Sequence, residues 1–101
     1  MEYRVVWTDR AMGQVTEIGD YIAEDSPKAA LTMVERLFDE VEVLSGFPEL
    51  GSIVEELKDP RIRKLLVPPY MVAYRIQEEF SLVEILAVRH GRRDRIERDD
   101  L

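Results

Sequence analysis

A long apolar run near the end of the sequence, residues 80–89, constrains the fold most strongly. Its residues, FSLVEILAVR, are mainly aliphatic, which is typical of a strand buried inside a sheet. The run stops at the single histidine, His90, and at Gly91, and this break is flanked by the arginines Arg89, Arg92 and Arg93. Cationic, hydrogen-bonding side chains are therefore predicted at the edge of a buried sheet, and we expect a functional site there.

Two amphipathic helices are predicted in the first half of the chain, after a short strand at residues 3–7. Thr8 can cap the first helix, whose apolar stripe recurs every three or four residues: Ala11, Val15, Ile18 and Ile22. Ser26 and Pro27 separate the two helices, because serine can accept a bond from an unpaired N–H and proline is tolerated at the first helical position. The second stripe consists of Ala30, Val34, Leu37, Phe38, Val41 and Leu44. The helices are expected to form a hairpin that ends at Gly46.

Strand patterns dominate the second half, at residues 61–67, 70–76 and 80–89, with a brief strand at 53–54. The connections between the three long strands are short enough for antiparallel neighbours. In the link before them, we expect Phe47 and Leu50 to pack between the hairpin and the sheet. The sequence therefore predicts one α+β domain, residues 1–101, with the order β-α-α-β-β-β and the helical hairpin packed on one face of a small antiparallel sheet.

The second of these long strands carries apolar residues on both of its faces. Alternation directs Tyr70, Val72, Tyr74 and Ile76 to one side, and Met71, Ala73 and Arg75 to the other. The hairpin covers only one side, so the other is predicted to be open. An uncovered apolar face on a small domain usually marks a partner surface.

Composition excludes several classes of site. The chain has no cysteine and one histidine, which excludes disulfides, thiolate chemistry and zinc sites built from Cys or several His residues. No metal or cofactor is expected. No run approaches the roughly 18 apolar residues that span a bilayer, and we expect a cytoplasmic protein with no membrane partner.

The net charge of −7 is distributed unevenly along the chain. Residues 1–59 contain 5 basic and 14 acidic side chains, whereas residues 60–101 contain 9 basic and 7 acidic ones. An acidic overall field repels a phosphate backbone at a distance, so a broad nucleic-acid footprint is disfavoured. A protein partner is favoured, with the cations concentrated late in the chain.

Five short motifs in a fixed order carry a resemblance that spans nearly the whole chain. They are Ile18-x-x-Tyr21-Ile22, Ser26-Pro27-x-Ala29-Ala30, Phe47-Pro48-x-x-Gly51, Tyr70-x-Val72-x-Tyr74-Arg75 and Val88-Arg89-His90-Gly91-x-Arg93-Asp94. With them, the chain resembles the ParE/RelE superfamily of toxins from bacterial type II toxin–antitoxin systems, and within it the ParE branch of plasmid stabilisation proteins.

The resemblance implies a cognate antitoxin, bound by the hairpin and sheet in a hetero-oligomer. It further implies that the target is DNA gyrase, inhibited by binding. RelE-like members instead cut mRNA on the ribosome, and an inactive, antitoxin-binding member is a third interpretation that the acidic net charge favours.

Chemistry helps to choose between these interpretations, because metal-free RNA cleavage needs a base, an acid and cations. The catalytic candidates of a nuclease are Arg61, Arg75, Arg89 and His90, since histidine titrates near neutrality. RelE-like nucleases use a lysine-rich strand and a late tyrosine. Both are missing here, because Lys64 is the one lysine in the predicted strands and the last tyrosine is Tyr74. We therefore favour a binding role, in which the residues that contact target or antitoxin are Arg61, Arg63, Lys64, Arg75, Arg89, His90, Arg92 and Arg93.

Structural roles remain open for several of these residues. Arg61 and Arg63 can form solvated salt bridges with the acidic helices. His90 can bond nearby backbone at a strand end.

Overall fold

The computed structural model describes residues 2–91 and residue 101. Two helices and five strands follow one another in the predicted order, with short 3₁₀ turns at Val43–Ser45, Glu55–Leu57 and Glu78–Phe80. The helices and strands are β1 (Arg4–Trp7), α1 (Asp9–Ala23), α2 (Pro27–Glu42), β2 (Ser52–Ile53), β3 (Ile62–Val67), β4 (Tyr70–Gln77) and β5 (Leu82–His90). No helix among the described residues is long and apolar enough to cross a bilayer.

The five strands form one sheet in the order β1-β5-β4-β3-β2. The β2–β3, β3–β4 and β4–β5 pairs are antiparallel as predicted, but β1 pairs with β5 in parallel. The sheet is therefore mixed, which corrects the expectation of a purely antiparallel one. Local patterns could not predict this, because the direction of β1 relative to β5 depends on where the hairpin returns the chain to the sheet.

Both predicted helix caps are present. The Thr8 hydroxyl accepts from the N–H of Ala11 at 3.1 Å and donates to the carbonyl of Ile85 at 2.8 Å, so it also ties the end of β1 to β5. The Ser26 hydroxyl accepts from the N–H of Ala29 at 3.1 Å, with Pro27 opening α2. These caps fix where each helix begins.

The main core lies between the hairpin and one face of the sheet. It includes Ala11 and Val15 of α1, Leu37 and Val41 of α2, and Tyr74 of β4, all almost fully buried. Trp7 packs edge-on against Phe38 with ring centroids 4.9 Å apart, which joins β1 to α2. The two helices therefore cover one face, as predicted.

Two apolar residues of the link were placed wrongly by the sequence. Phe47 is 67% exposed and Leu50 is 56% exposed, so neither packs between hairpin and sheet. The link is held through its backbone instead, by the Tyr74 hydroxyl and the Arg63 guanidinium.

The reverse face of the sheet, opposite the hairpin, is not fully open as expected. The 3₁₀ turn Glu55–Leu57 covers part of this face. A second buried cluster forms there from Val54, Leu57, Ile62, Met71, Ala73 and Ala87. The side chain of Leu101 packs against this cluster. The expectation of an uncovered apolar face is therefore wrong at the centre of the sheet, while Leu66 remains 62% exposed beside it.

Candidate functional site

The predicted cations that fall within the described residues lie in several different parts of the fold. Arg61 lies just before β3, where its guanidinium pairs with the Asp59 carboxylate at 3.0 Å. This hydrogen-bonded pairing lowers the pKa of Asp59 from 3.8 to about 2. Arg61 therefore pairs with a neighbouring loop residue and not with the acidic helices.

Arg63 serves the link before β2. Its Nη1 donates to the carbonyls of Glu49 at 3.1 Å and Gly51 at 2.6 Å, and the side chain is only 16% exposed. A guanidinium committed to two backbone carbonyls supports the fold at this end of the sheet. Glu49, Glu78 and Glu79 border the same cleft, so this end does not concentrate positive charge.

The reverse face carries three of the predicted cations, in successive rows across the strands. Arg89 lies opposite Met71, Lys64 lies opposite Ala73, and Arg75 lies between Ile62 and Glu84. Because residues directly opposite each other share a face, all three project to the side away from the hairpin. The reverse face therefore combines an apolar centre with a cationic rim.

Arg75 is held by a carboxylate within the sheet. Its Nη1 donates to Glu84 Oε1 at 3.0 Å, and the amide of Gln77 donates to the same oxygen at 3.1 Å. The side chains of Arg75 and Glu84 are 30% and 26% exposed. Part of the charge of Arg75 is therefore neutralised locally.

A one-residue irregularity in β5 decides which face each residue of the strand's end occupies. Tyr74 pairs with Ile85 while Ala73 pairs with Ala87, which leaves Leu86 as an extra residue between them. Simple alternation from Ile85 would direct Arg89 to the hairpin side and His90 to the reverse face. The bulge exchanges the faces of these two residues, so that Arg89 lies opposite Met71 and His90 lies opposite Tyr70.

His90 consequently lies on the hairpin side, with its ring edge-on to Tyr70 at a centroid distance of 5.7 Å. It borders a groove of about 440 Å³ between α1 and the end of the sheet. The groove is lined by Gln14, Glu17, Ile18, Tyr21, Tyr70, Val88, Arg89 and His90. Tyr21 is 74% exposed, so an aromatic surface is available to a partner.

Gln14 is a residue that the sequence interpretation missed. Its side-chain oxygen accepts from the N–H of Val88 at 2.7 Å, on the edge of β5 beyond the end of β1. This bond fixes α1 against the strand, and both of its residues line the groove. The sequence did contain a signal for this contact, because Gln14 is a polar residue beside the apolar stripe of Ala11, Val15 and Ile18.

Among residues 2–91 and 101, the nuclease candidates are only partly brought together. Arg89 and His90 line the groove beside α1, whereas Arg61 lies beside β3 and Arg75 lies on the reverse face. Arg92 and Arg93 fall outside the described residues. Within the described part of the chain, no three acidic or histidine side chains are grouped so that they could hold a metal ion.

Comparison with known proteins gives the family. Residues 5–95 match the family model described as the ParE toxin of the type II toxin–antitoxin system parDE. The chain belongs to the ParE toxin family. It is a type II toxin–antitoxin toxin of the ParE/RelE superfamily, as the five motifs predicted.

Similar proteins have names from both branches of the superfamily, ParE and RelE. The toxin RelE2 of Caulobacter vibrioides is 40% identical over 91 residues, covering 89% of this chain and 97% of that protein. Among solved structures, the chromosomal ParDE system of P. aeruginosa has a TM-score of 0.72 at 23% identity, covering 88% of this chain and 96% of the other. The RelBE2 toxin–antitoxin complex of Mycobacterium tuberculosis has a TM-score of 0.62 at 26% identity, covering 89% and 99%. The mixed sheet with its two-helix layer is thus the fold of this superfamily.

Proposed function

We propose that this ParE-family toxin inhibits DNA gyrase by binding it, and that a cognate antitoxin neutralises the toxin. The family match supports the toxin role, and the likeness to RelBE2, which is a toxin–antitoxin complex, supports the partner. Inhibition by binding requires a surface and no proton-transfer machinery.

The single observation that carries the choice of binding over chemistry is the separation of His90 from Arg61 and Arg75. RNA cleavage without a metal needs a proton-transfer group and cations around one phosphate. The bulge at Leu86 directs His90 to the hairpin side, where it lines one groove with Arg89, while Arg75 projects to the reverse face and Arg61 lies beside β3. Both tyrosines of β4, Tyr70 and Tyr74, also belong to the hairpin-side core.

The groove beside α1 is the surface that we assign to the antitoxin. It offers an exposed aromatic ring, Tyr21, together with His90 and the acidic Glu17. A segment with apolar anchors can lie in such a groove and bury the ring. The expected stable form is a complex of toxin and antitoxin.

A supercoiling assay with purified gyrase tests the target. Relaxed plasmid is incubated with gyrase, ATP and increasing toxin, and the toxin is expected to reduce supercoiling and to accumulate cleaved plasmid. Toxin preincubated with its antitoxin is the matched control and is expected to leave gyrase active. Unchanged supercoiling at a large molar excess of folded toxin would exclude gyrase as the target.

The second candidate is a ribosome-dependent mRNA endoribonuclease. It is favoured by the relative at 40% identity, whose name is toxin RelE2. Mapping of mRNA ends in a translating extract tests it, since this candidate predicts new cuts that appear only when ribosomes are present. If gyrase and mRNA are both unaffected while the antitoxin binds, the chain is an inactive member that retains its partner.

A further inference from the structure

Four large apolar side chains are exposed around one end of the sheet. They come from the link between α2 and β2, from β2 itself and from the 3₁₀ turn after β4: Phe47, Leu50, Ile53 and Phe80. The link and the turn border one cleft of about 380 Å³, which Ile76 of β4 also lines. We call this cleft and the four side chains around it the distal patch. Exposed apolar side chains that are grouped in this way usually mark a surface that binds another macromolecule.

Carboxylates surround the distal patch. Glu49, Glu78 and Glu79 line its cleft, and all three are exposed. The two cations of the cleft are already engaged, because Arg61 pairs with a neighbouring aspartate and Arg63 donates to the link. Glu78 and Glu79 take part in none of the ion pairs found among residues 2–91 and 101. The distal patch therefore combines apolar contacts with a surplus of negative charge.

Hydrogen bonds fix both sides of the cleft. The N–H of Ser81 donates to the carbonyl of Glu78 at 3.1 Å, and the Ser81 carbonyl accepts from the N–H of Arg4 at 2.9 Å, which anchors the turn to β1. Ser81 adopts a left-handed conformation with φ 47°, which is uncommon for a residue other than glycine. Across the cleft, the Tyr74 hydroxyl and the Arg63 guanidinium hold the link. A surface that is already fixed loses little entropy on binding.

The charge of the distal patch restricts its partner. Its carboxylates repel a phosphate backbone, so nucleic acid is disfavoured. A second copy of the chain is disfavoured for a similar reason, because a two-fold contact through the patch would bring Glu78 and Glu79 of both copies together. A protein surface that carries basic and apolar side chains is complementary to both features of the patch.

The groove that we assign to the antitoxin lies at the other end of the sheet. β4 begins at Tyr70, which pairs with His90 in that groove, and it ends at Gln77, directly before the turn of the distal patch. At about 3.3 Å per residue, the length of β4 separates the two surfaces by about 20–25 Å. A partner other than the segment in the groove can therefore reach the distal patch.

We propose that the distal patch is the surface through which the toxin contacts gyrase, and that it receives a basic, apolar surface of the gyrase protein. This proposal rests on inhibition of gyrase by binding, proposed above, and adds the contact surface and its chemistry. Antitoxin in the groove would then exclude gyrase by its bulk, because the domain is small. Substitutions in the distal patch should therefore separate the two partners.

The apolar contact is tested with Phe80→Ala in the supercoiling assay. The concentration of toxin that gives half inhibition is expected to rise at least about 10-fold, because aromatic anchors supply much of the binding energy of protein interfaces. Leu31→Ala is the matched control, since Leu31 is 62% exposed on α2 and Phe80 is 68% exposed. The control is expected to inhibit gyrase as the wild type does.

The charge is tested with Glu78→Lys. A lysine here opposes the basic partner surface, so inhibition is expected to weaken at least about 10-fold, with a loss that shrinks as salt is raised. Glu35→Lys makes the same charge change on the exposed side of α2 and is expected to have little effect. Circular dichroism and thermal unfolding establish that each full-length variant is folded.

A cross-linking experiment reads the contact directly. The sequence contains no cysteine, so one introduced cysteine can carry a photoactivated cross-linker at a chosen position. The variant Leu50→Cys is expected to form a covalent product with a gyrase subunit, and the control Leu31→Cys is expected to form none. Titration calorimetry with the purified cognate antitoxin is expected to give the same affinity for Phe80→Ala, Glu78→Lys and the wild type.

Two results would overturn the distal patch as the gyrase contact while inhibition by the wild type still stands. The first is full inhibition by both Phe80→Ala and Glu78→Lys. The second is a loss of antitoxin binding that parallels the loss of inhibition in both variants, because it would show general damage to the toxin. If the wild type itself leaves gyrase active, inhibition of gyrase is refuted, and the contact surface with it.

Discussion

The hydroxyl of Tyr74 accepts a hydrogen bond from the backbone N–H of Gly51 at 2.9 Å, and it donates one to the carbonyl of Pro48 at 2.7 Å. A fully buried strand residue thus holds the link that joins the hairpin to the late strands. Burial also raises the pKa of the phenol, so the donor proton is retained.

Tyr74→Phe is expected to lower the free energy of unfolding by about 1–3 kcal/mol, because the Gly51 N–H and the Pro48 carbonyl each lose a partner in a buried setting. Urea denaturation followed by circular dichroism measures it. Tyr21→Phe removes the same hydroxyl from a side chain that is 74% exposed, and its stability is expected to be unchanged. Equal stabilities of the two variants would contradict a structural role for the Tyr74 hydroxyl.

Gly51→Ala is expected to destabilise the fold by about 1–3 kcal/mol through overpacking. An added Cβ would lie 2.5 Å from the carbonyl oxygen of Lys64 and 2.7 Å from the Tyr74 hydroxyl. Gly13→Ala is the matched control, because a Cβ there meets nothing within 4 Å. Gly13 lies inside α1, so the control is expected to stabilise by about 0.5–1 kcal/mol. Melting temperatures that move in the same direction in both variants would refute this contrast.

The pair Arg75 and Glu84 is expected to have a coupling energy of about 0.5–1.5 kcal/mol in a double-mutant cycle of Arg75→Met and Glu84→Gln. Both side chains are less than one third exposed, which limits screening by water. The pair Arg36 and Glu40 is 44% and 43% exposed on α2, so its coupling is expected to be smaller, about 0.3–0.5 kcal/mol. A larger coupling for the exposed pair would show that burial does not control the strength.

The pKa of Asp59, lowered from 3.8 to about 2 by Arg61, makes a contribution to stability that depends on pH. A carboxyl with a depressed pKa in the folded state stabilises the fold above its unfolded pKa, and the contribution is lost as pH falls. The stability difference between the wild type and Asp59→Asn is therefore expected to shrink between about pH 4 and pH 2. Asp39→Asn, on α2, provides the control in the same acid titration of urea midpoints. A difference that is constant over this range would argue against the Arg61 contact.

His90→Gln is expected to keep inhibition of gyrase within about tenfold of the wild type, because loss of a proton-transfer group would reduce a catalytic rate by about 10²–10⁴. The supercoiling assay measures this activity. A loss of about 100-fold or more in mRNA cleavage by the same variant would instead favour the endoribonuclease.

Local physics made much of the architecture predictable. Thr8 and Ser26 cap helices because a side-chain oxygen next to an unpaired N–H acts within three residues. The apolar stripe of each helix predicted the face that packs on the sheet, with Ala11 and Leu37 among the most buried residues. The late strands were predicted for the same reason, although Phe80, placed at the start of the last strand, is 68% exposed in a 3₁₀ turn.

The partners of the candidate site residues were harder to predict from local sequence patterns. Arg63 and Arg75 were found as cations, but the guanidinium of Arg63 is committed to the Glu49 and Gly51 carbonyls, and Arg75 pairs with Glu84. These partners are separated from the arginines by 9 to 14 positions in the chain, and no local pattern predicts such a pairing.

The sequence alone determined where helices and strands form, because capping, periodicity and turn chemistry depend on neighbours within a few positions. Only the tertiary structure decided that β1 joins β5 in parallel, that Leu101 packs on the reverse face, and that His90 lies on the face opposite Lys64 and Arg75. The last outcome depends on one extra residue in β5. A shift of one residue moves every later side chain to the other face of a strand, and that shift is set by how whole strands pair.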